Sequence, residues 1–241
     1  GFEPSAARLR DHAGIGVGAH FAAVGEDPPL LTAREIPTLV DKQGRLPISW
    51  RKFLPLVAAR RIDPDDLRRE FTAQLDRVES VGLTVDHFDS HQNVHLWPAV
   101  REVVLGIGEA RGVTVIRVTR SSASGVVGTT VRQLAQRLER QLDDRGWRYA
   151  PASTGLDEAG QLDTAAMVAA VDRLAASGCT AAELASHPGG HDDEDRHRYA
   201  WDYRWGEELD ALCSDEVRAA VDRHGFRLGT FADLPSAPVS R

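Results

Sequence analysis

Apolar positions recur at helical spacing in several stretches of the chain. After Asp63-Pro64-Asp65-Asp66 they fall at Leu67, Phe71, Leu75 and Val78, the stripe of an amphipathic helix. Asp63 suits the N-cap, Pro64 the first helical position, and the two acids the positive end of the helix dipole. Pro98 opens a second helix through Val100, Val103, Val104 and Ile107, with Gly112 placed to close it. Further helices are predicted over Val131–Leu142, Ala165–Ala175 and Asp215–His224, the last capped by Ser214 and followed by Gly225. Between them lie short β-branched or aromatic runs: Ile15–His20, Leu83–Asp89, Val113–Thr119, Ala182–Ser186 and Phe226–Phe231. Strands alternating with helices predict an α/β fold with a parallel sheet, whose chemistry gathers at the C-terminal strand ends.

The composition narrows the class. In 241 residues, 42% are hydrophobic and 27% charged, enough for a folded core and not the mix of a disordered chain. No repeat or Pro/Gly/Ser-rich linker divides the chain, so one domain over residues 1–241 is expected; Pro235-Ser236-Ala237-Pro238 reads as a frayed end. A formal charge of −7 repels phosphate backbones and argues against nucleic-acid binding. No apolar run approaches the ~18 residues of a membrane span, and no signal-peptide pattern opens the sequence. Cys179 and Cys213 form no CxxC pair, so a disulfide framework or cysteine zinc site is not expected and a cytoplasmic location is.

Nine histidines occur, and three predicted strands run into one. His20 ends Gly16-Val17-Gly18-Ala19-His20; His91 and His95 follow Asp86-His87-Phe88-Asp89-Ser90; His187 follows Glu183-Leu184-Ala185-Ser186. Parallel strands would bring these groups to one rim. Imidazole is a common ligand for divalent metals and the usual acid or base near neutral pH. A lone histidine at a strand end is most often a polar surface group. The run Asp89-Ser90-His91-Gln92-Asn93-Val94-His95 says more, because it packs an acid and two imidazoles behind an apolar strand. His197 and His224 read as structural, and Asp192-Asp193-Glu194-Asp195 as a solvated loop. Arg117, ending its strand, could hold a polar substrate or pair with a carboxylate. Tyr199, Trp201, Tyr203 and Trp205 could stack on a sugar or make ordinary core.

These motifs, in this order, resemble the carbohydrate deacetylases of the YdjC-like (ChbG/HpnK) family. The residues that carry the likeness are Gly18-Ala19-His20-Phe21, the Asp89–His95 run with Pro98 behind it, and Glu183-Leu184-Ala185-Ser186-His187-Pro188-Gly189. Tyr203-Arg204, Glu208-Leu209 and the stretches Ser214–Val217 and Gly225–Leu228 also fit. The resemblance spans about residues 14 to 234 of the sequence.

It implies a distorted (β/α) barrel and removal of an acetyl group from an N-acetylated amino sugar, or from its oligomer or conjugate. One divalent metal ion, Zn or Mg, would be held by His20 and His91 together with an aspartate. His187 would protonate the leaving amine, Asp89 would orient a ligand histidine, and Arg117, His95 and Trp201 would hold the sugar. The family resemblance also allows a homodimer. Asn93 stands where the family often has histidine, at a position not expected to bind metal. The family's opening strand, with its Asp-Asp-x-Gly motif, has no counterpart ahead of His20 in these residues. Asp65-Asp66 does not replace it, since that pair opens a helix. Lacking that strand, the barrel is expected to be open at an edge. Two other readings stay open: a sugar-binding homologue without catalysis, and a metal-dependent phosphoesterase, which usually needs two metals and more carboxylates.

Overall fold

The computed structural model describes residues 2–12, 14–193, 199 and 201–235. The chain divides into two compact units. One comprises residues 1–117, 137–149 and 230–241, the other residues 118–136 and 150–229.

In the first unit, β1 (Gly18–Phe21) pairs in parallel with β2 (His87–Ser90), Gly18 opposite His87 and Phe21 opposite Ser90. The ladder continues through parallel bridges from Phe88 to Ile116 and from Val115 to Arg148. Helix α1 is Phe2–Arg10, α2 is Trp50–Ala58, α3 is Pro64–Ser80 and α4 is Pro98–Arg111. The α3 stripe buries Leu67, Phe71 and Leu75, and Asp63 caps the helix by accepting from the Asp65 amide. Gly112 follows α4 in the left-handed conformation. Phe21 is the hub of this core, stacked on Phe71 at 4.8 Å and on Phe88 at 5.2 Å. Truncating such a buried ring costs about 3–5 kcal/mol.

Helix α3 also carries three polar groups on a four-residue repeat that tie down the long segment after β1. Asp66 accepts from the Thr38 amide and hydroxyl, Glu70 from the Leu30 and Leu31 amides, and the Gln74 amide pairs with both the N–H and the C=O of Ala22. Asp66 and Glu70 are buried. Each carboxylate is compensated by at least two hydrogen bonds, the condition for keeping such a group inside.

The second unit pairs β3 (Ala152–Thr154) in parallel with β4 (Ala182–Leu184). Helices α6 (Thr164–Ala176), α7 (Trp205–Leu212) and α8 (Asp215–Arg223) close over Leu162, Met167, Ala170, Ala211 and Val217. Ser214 caps α8 through the Val217 amide. Helix α5 spans Val126–Arg145, longer at both ends than the periodicity predicts; its residues 126–136 belong to this unit and 137–145 to the first.

Parallel strands and helices bear out the α/β expectation. Several details differ, among them helices α1, α2 and α7, which the periodicity does not predict. Phe226–Phe231 is not a strand; Leu228 is 67% exposed, so the run has no apolar face to bury. Of Val113–Thr119 only Val115 and Ile116 make bridges. Strand β3 went unpredicted, because Ala-Ser-Thr between Pro151 and Gly155 carries too little apolar signal. His197, Glu194 and Asp195 of the acidic run, and Ser236–Pro238 of the tail lie outside the described residues.

Candidate functional site

The parallel pairing of β1 and β2 sets His20 opposite Asp89 and leaves His91 one residue past the end of β2. His20 Nδ1 lies 2.8 Å from Asp89 Oδ1. A carboxylate can only accept, so Nδ1 is the donor of this bond, which selects the tautomer with its lone pair on Nε2. That Nε2 faces His91 Nδ1 at 3.5 Å, with the two rings edge to face.

Asp89 is buried and also pairs with the Arg117 guanidinium. Burial opposes its charge, but His20 and Arg117 outweigh it and hold the carboxyl well below the usual carboxylate range. Arg117 therefore spends part of its guanidinium inside the protein.

His95, expected at the sugar, is fully buried. Its Nδ1 meets Ser90 Oγ at 2.8 Å and its Nε2 meets the Arg117 carbonyl at 3.0 Å. With both nitrogens engaged, the ring braces the ends of two neighbouring sheet segments and keeps no edge for a substrate. Burial pushes its pKa down to about 4, against the pull of Asp89.

The turn after β2 is strained. Gln92 and Asn93 both adopt left-handed backbone angles, with φ of 51° and 54°. Such values are uncommon outside glycine and cluster at functional sites. The Gln92 side chain accepts from the Trp50 amide at 2.8 Å, tying the start of α2 to the residue beside His91. Gly25, at φ +125°, lies so close to the His91 ring that a Cβ there would come within 3.3 Å of it. Neither contact was legible in the sequence, because both depend on where a long irregular segment returns to the sheet.

His187 lies in the second unit, three residues past β4. Its amide donates to Glu208 Oε2 at 2.5 Å, and its ring packs edge to face on Tyr203 at 5.0 Å. Trp201 stacks on Tyr199 at 4.6 Å and touches Tyr203 and Trp205. Gly190, His191, Tyr203, Arg204, Trp205, Gly206 and Glu207 line a shallow pocket beside this cluster. His224 pairs with Asp172 at 2.6 Å, in keeping with a structural role. Cys179 and Cys213 are free thiols. No helix among the described residues is long and apolar enough to cross a membrane.

The family model for YdjC-like proteins matches residues 1–223. A carbohydrate deacetylase of Geobacillus stearothermophilus is 43% identical over 105 residues, 43% of this chain and 39% of that protein. One from Brevibacillus brevis is 32% identical over 109 residues, 45% of this chain and 40% of that protein. The matched stretches thus span about two fifths of these two relatives. A chitooligosaccharide deacetylase of Enterobacter sp. (strain 638) is 27% identical over 248 residues, covering 96% of this chain and 83% of that one. A crystal structure from Enterococcus faecalis V583, provisionally described as a cellobiose-phosphate cleavage protein, superposes with a TM-score of 0.73 at 19% identity. It covers 95% of this chain and 82% of that one, and shows a shared fold. With the family model running through the His20, Asp89–His95 and His187 motifs, the chain belongs to the YdjC-like protein family.

Proposed function

We propose that the chain is a metal-dependent carbohydrate deacetylase, hydrolysing the acetamide of an N-acetylated amino sugar or its oligomer, on the distorted (β/α) barrel of its family. The observation that carries this reading is the approach of His20 Nε2 to His91 Nδ1 at 3.5 Å. That separation is long for an N–H···N hydrogen bond, which is shortest and strongest near ~2.9–3.0 Å. It is close to the ~3.3 Å between two nitrogens of a tetrahedral site with bonds of ~2.0–2.1 Å.

The donors fit two places of such a set. A catalytic ion usually has about three protein ligands, and no group of three or more His, Cys, Asp or Glu is placed to hold one among the described residues. Asp89 is occupied by His20 and Arg117. The family resemblance assigns the third ligand and the base to an acidic pair that no described residue supplies. The reading therefore places His20 and His91 as ligands, with Zn or Mg as the ion. When bound, a divalent cation supplies an acidified water and a polarised acetyl carbonyl.

The chain's own groups have distinct tasks. Asp89 fixes the His20 tautomer and keeps Nε2 turned outward. Arg117 and Trp201 are the residues the family resemblance assigns to sugar binding. His187 gives a proton to the amine nitrogen as the C–N bond breaks, since an amide anion is too basic to leave unprotonated. The names of the deacetylase relatives support this choice of substrate.

The test is hydrolysis of N-acetylglucosamine oligomers with added divalent metal. We expect release of acetate by the parent and a loss of ~10³-fold or more in His91→Ala, several kcal/mol of barrier being the usual contribution of such an ion. Equal activity in the two proteins would remove the metal reading.

A further inference from the structure

Adjacent acids in the first turns of α7 have opposite surroundings. Glu207 is exposed and pairs with Arg204 at 2.6 Å. Glu208 is fully buried. A carboxylate inside a protein costs several kcal/mol unless its oxygens are satisfied. Here each oxygen takes a main-chain amide from a different segment. Oε1 accepts from Leu162, 46 residues away, at 3.2 Å, and Oε2 accepts from His187, 21 residues away, at 2.5 Å.

The place of the second bond is informative. The β3–β4 ladder ends with the Ala185 amide donating to the Thr154 carbonyl at 3.0 Å. The next amide on the same side of the strand belongs to His187, beyond the point where β3 ends at Thr154. Glu208 supplies the acceptor instead. Pro188 follows and biases His187 toward extended backbone. The Gly189 amide then donates to the Trp205 carbonyl at 3.1 Å, so α7 grips the turn on both sides of Pro188.

The ring is bounded as well. Tyr203 packs on it edge to face, and Tyr203 in turn presses on Gly160. A Cβ at Gly160, where φ is +77°, would sit 2.2 Å from the Tyr203 ring. Gly160 also accepts the Arg204 amide through its carbonyl at 2.8 Å.

We infer that Glu208 is the positioning residue of His187: a buried carboxylate that accepts from the backbone just past the end of the β3–β4 ladder and fixes the segment carrying the proton donor. This rests on the reading of His187 as that donor. It assigns work to the side chain of a fully buried residue. Displacement of a reacting group by ~1 Å can cost ~10²-fold in rate, so the effect falls on kcat and passes through His187.

A double-mutant cycle tests it, with kcat and KM for acetate release from N-acetylglucosamine oligomers in the parent, Glu208→Gln, His187→Ala and the double variant. The expected result is a fall in kcat of ~10-fold or more for Glu208→Gln, with KM within about twofold. In the His187→Ala background the same change should lower kcat by less than about twofold, because the group it positions is gone. Glu208→Asp, which keeps the charge but withdraws the acceptor by one methylene, takes the same place in the cycle if Glu208→Gln does not fold. Equal losses in both backgrounds, or parental kcat in the single variant, would overturn the assignment. A parent without hydrolysis would overturn the deacetylase reading itself and the assignment with it.

Discussion

His20 in the first unit is held through its ring, whereas His187 in the second is held through its backbone. Asp89 bonds to the imidazole of His20 and so selects its tautomer and aims its free nitrogen. Glu208 bonds to the amide of His187 and leaves the ring bounded by Tyr203. A metal ligand needs one fixed nitrogen lone pair. A proton donor needs a fixed position relative to the group it protonates. On the proposed roles of His20 and His187, a buried carboxylate is attached to each at a different point of the residue, and the contrast can be tested from both sides.

The largest expected effect concerns His95, which feels the charge of the same Asp89 that holds His20. His95 is neutral in the folded protein, with its pKa held at about 4 against an ordinary 6.5. The unfolded chain therefore takes up the proton first, and stability falls as pH drops through 6.5 toward 4, then levels off. At 1.36 kcal/mol per pKa unit the full loss is about 3 kcal/mol. Asp89, with its pKa lowered, adds its own loss only below the ordinary carboxylate range, so the two windows separate. Urea midpoints at pH 7, 6 and 5 should decline for the parent and decline less for His95→Gln. A decline of equal size in both would mean that His95 does not govern this window.

A smaller effect is expected from Asp89→Asn. Loss of the charge behind a ligating imidazole typically weakens metal binding 10–100-fold, and here it also removes the Asp89–Arg117 ion pair. Zinc affinity measured by competition with a chelator should drop by that amount while Glu208→Gln leaves it unchanged. A shift in both variants would erase the contrast between ring-held and backbone-held histidines. Trp201→Ala should do least. A single aromatic contact is worth about 0.5–1.5 kcal/mol beyond its buried area, so KM for the sugar should rise several-fold with kcat retained; an unchanged KM would remove Trp201 from the sugar site.

Much of this could be read from residue types and spacing. The helices at 64–80 and 98–111 follow from caps and periodicity that the structure reproduces. The meeting of His20 with His91 follows from two parallel strands whose C-terminal ends carry those residues. What stayed hidden depends on long-range closure. Glu70 and Asp66 look like solvent-facing helix acids until the segment after β1 folds back to supply amides. Glu208 resembles its exposed neighbour Glu207 in every local respect. Its signal was an acid on the inner face of an amphipathic helix, visible only once α7 is recognised, and that helix starts in an aromatic stretch without clear periodicity. His95 misled for the opposite reason: a histidine in a His-rich motif draws a functional reading, yet this one is sealed between Ser90 and Arg117.

The central claim, that His20 and His91 share one cation, is tested most directly by equilibrium dialysis of zinc against the parent, His20→Ala and His91→Ala. The account predicts one ion per chain in the parent and affinity at least ~10-fold weaker in each variant. Parental affinity in both variants would contradict it.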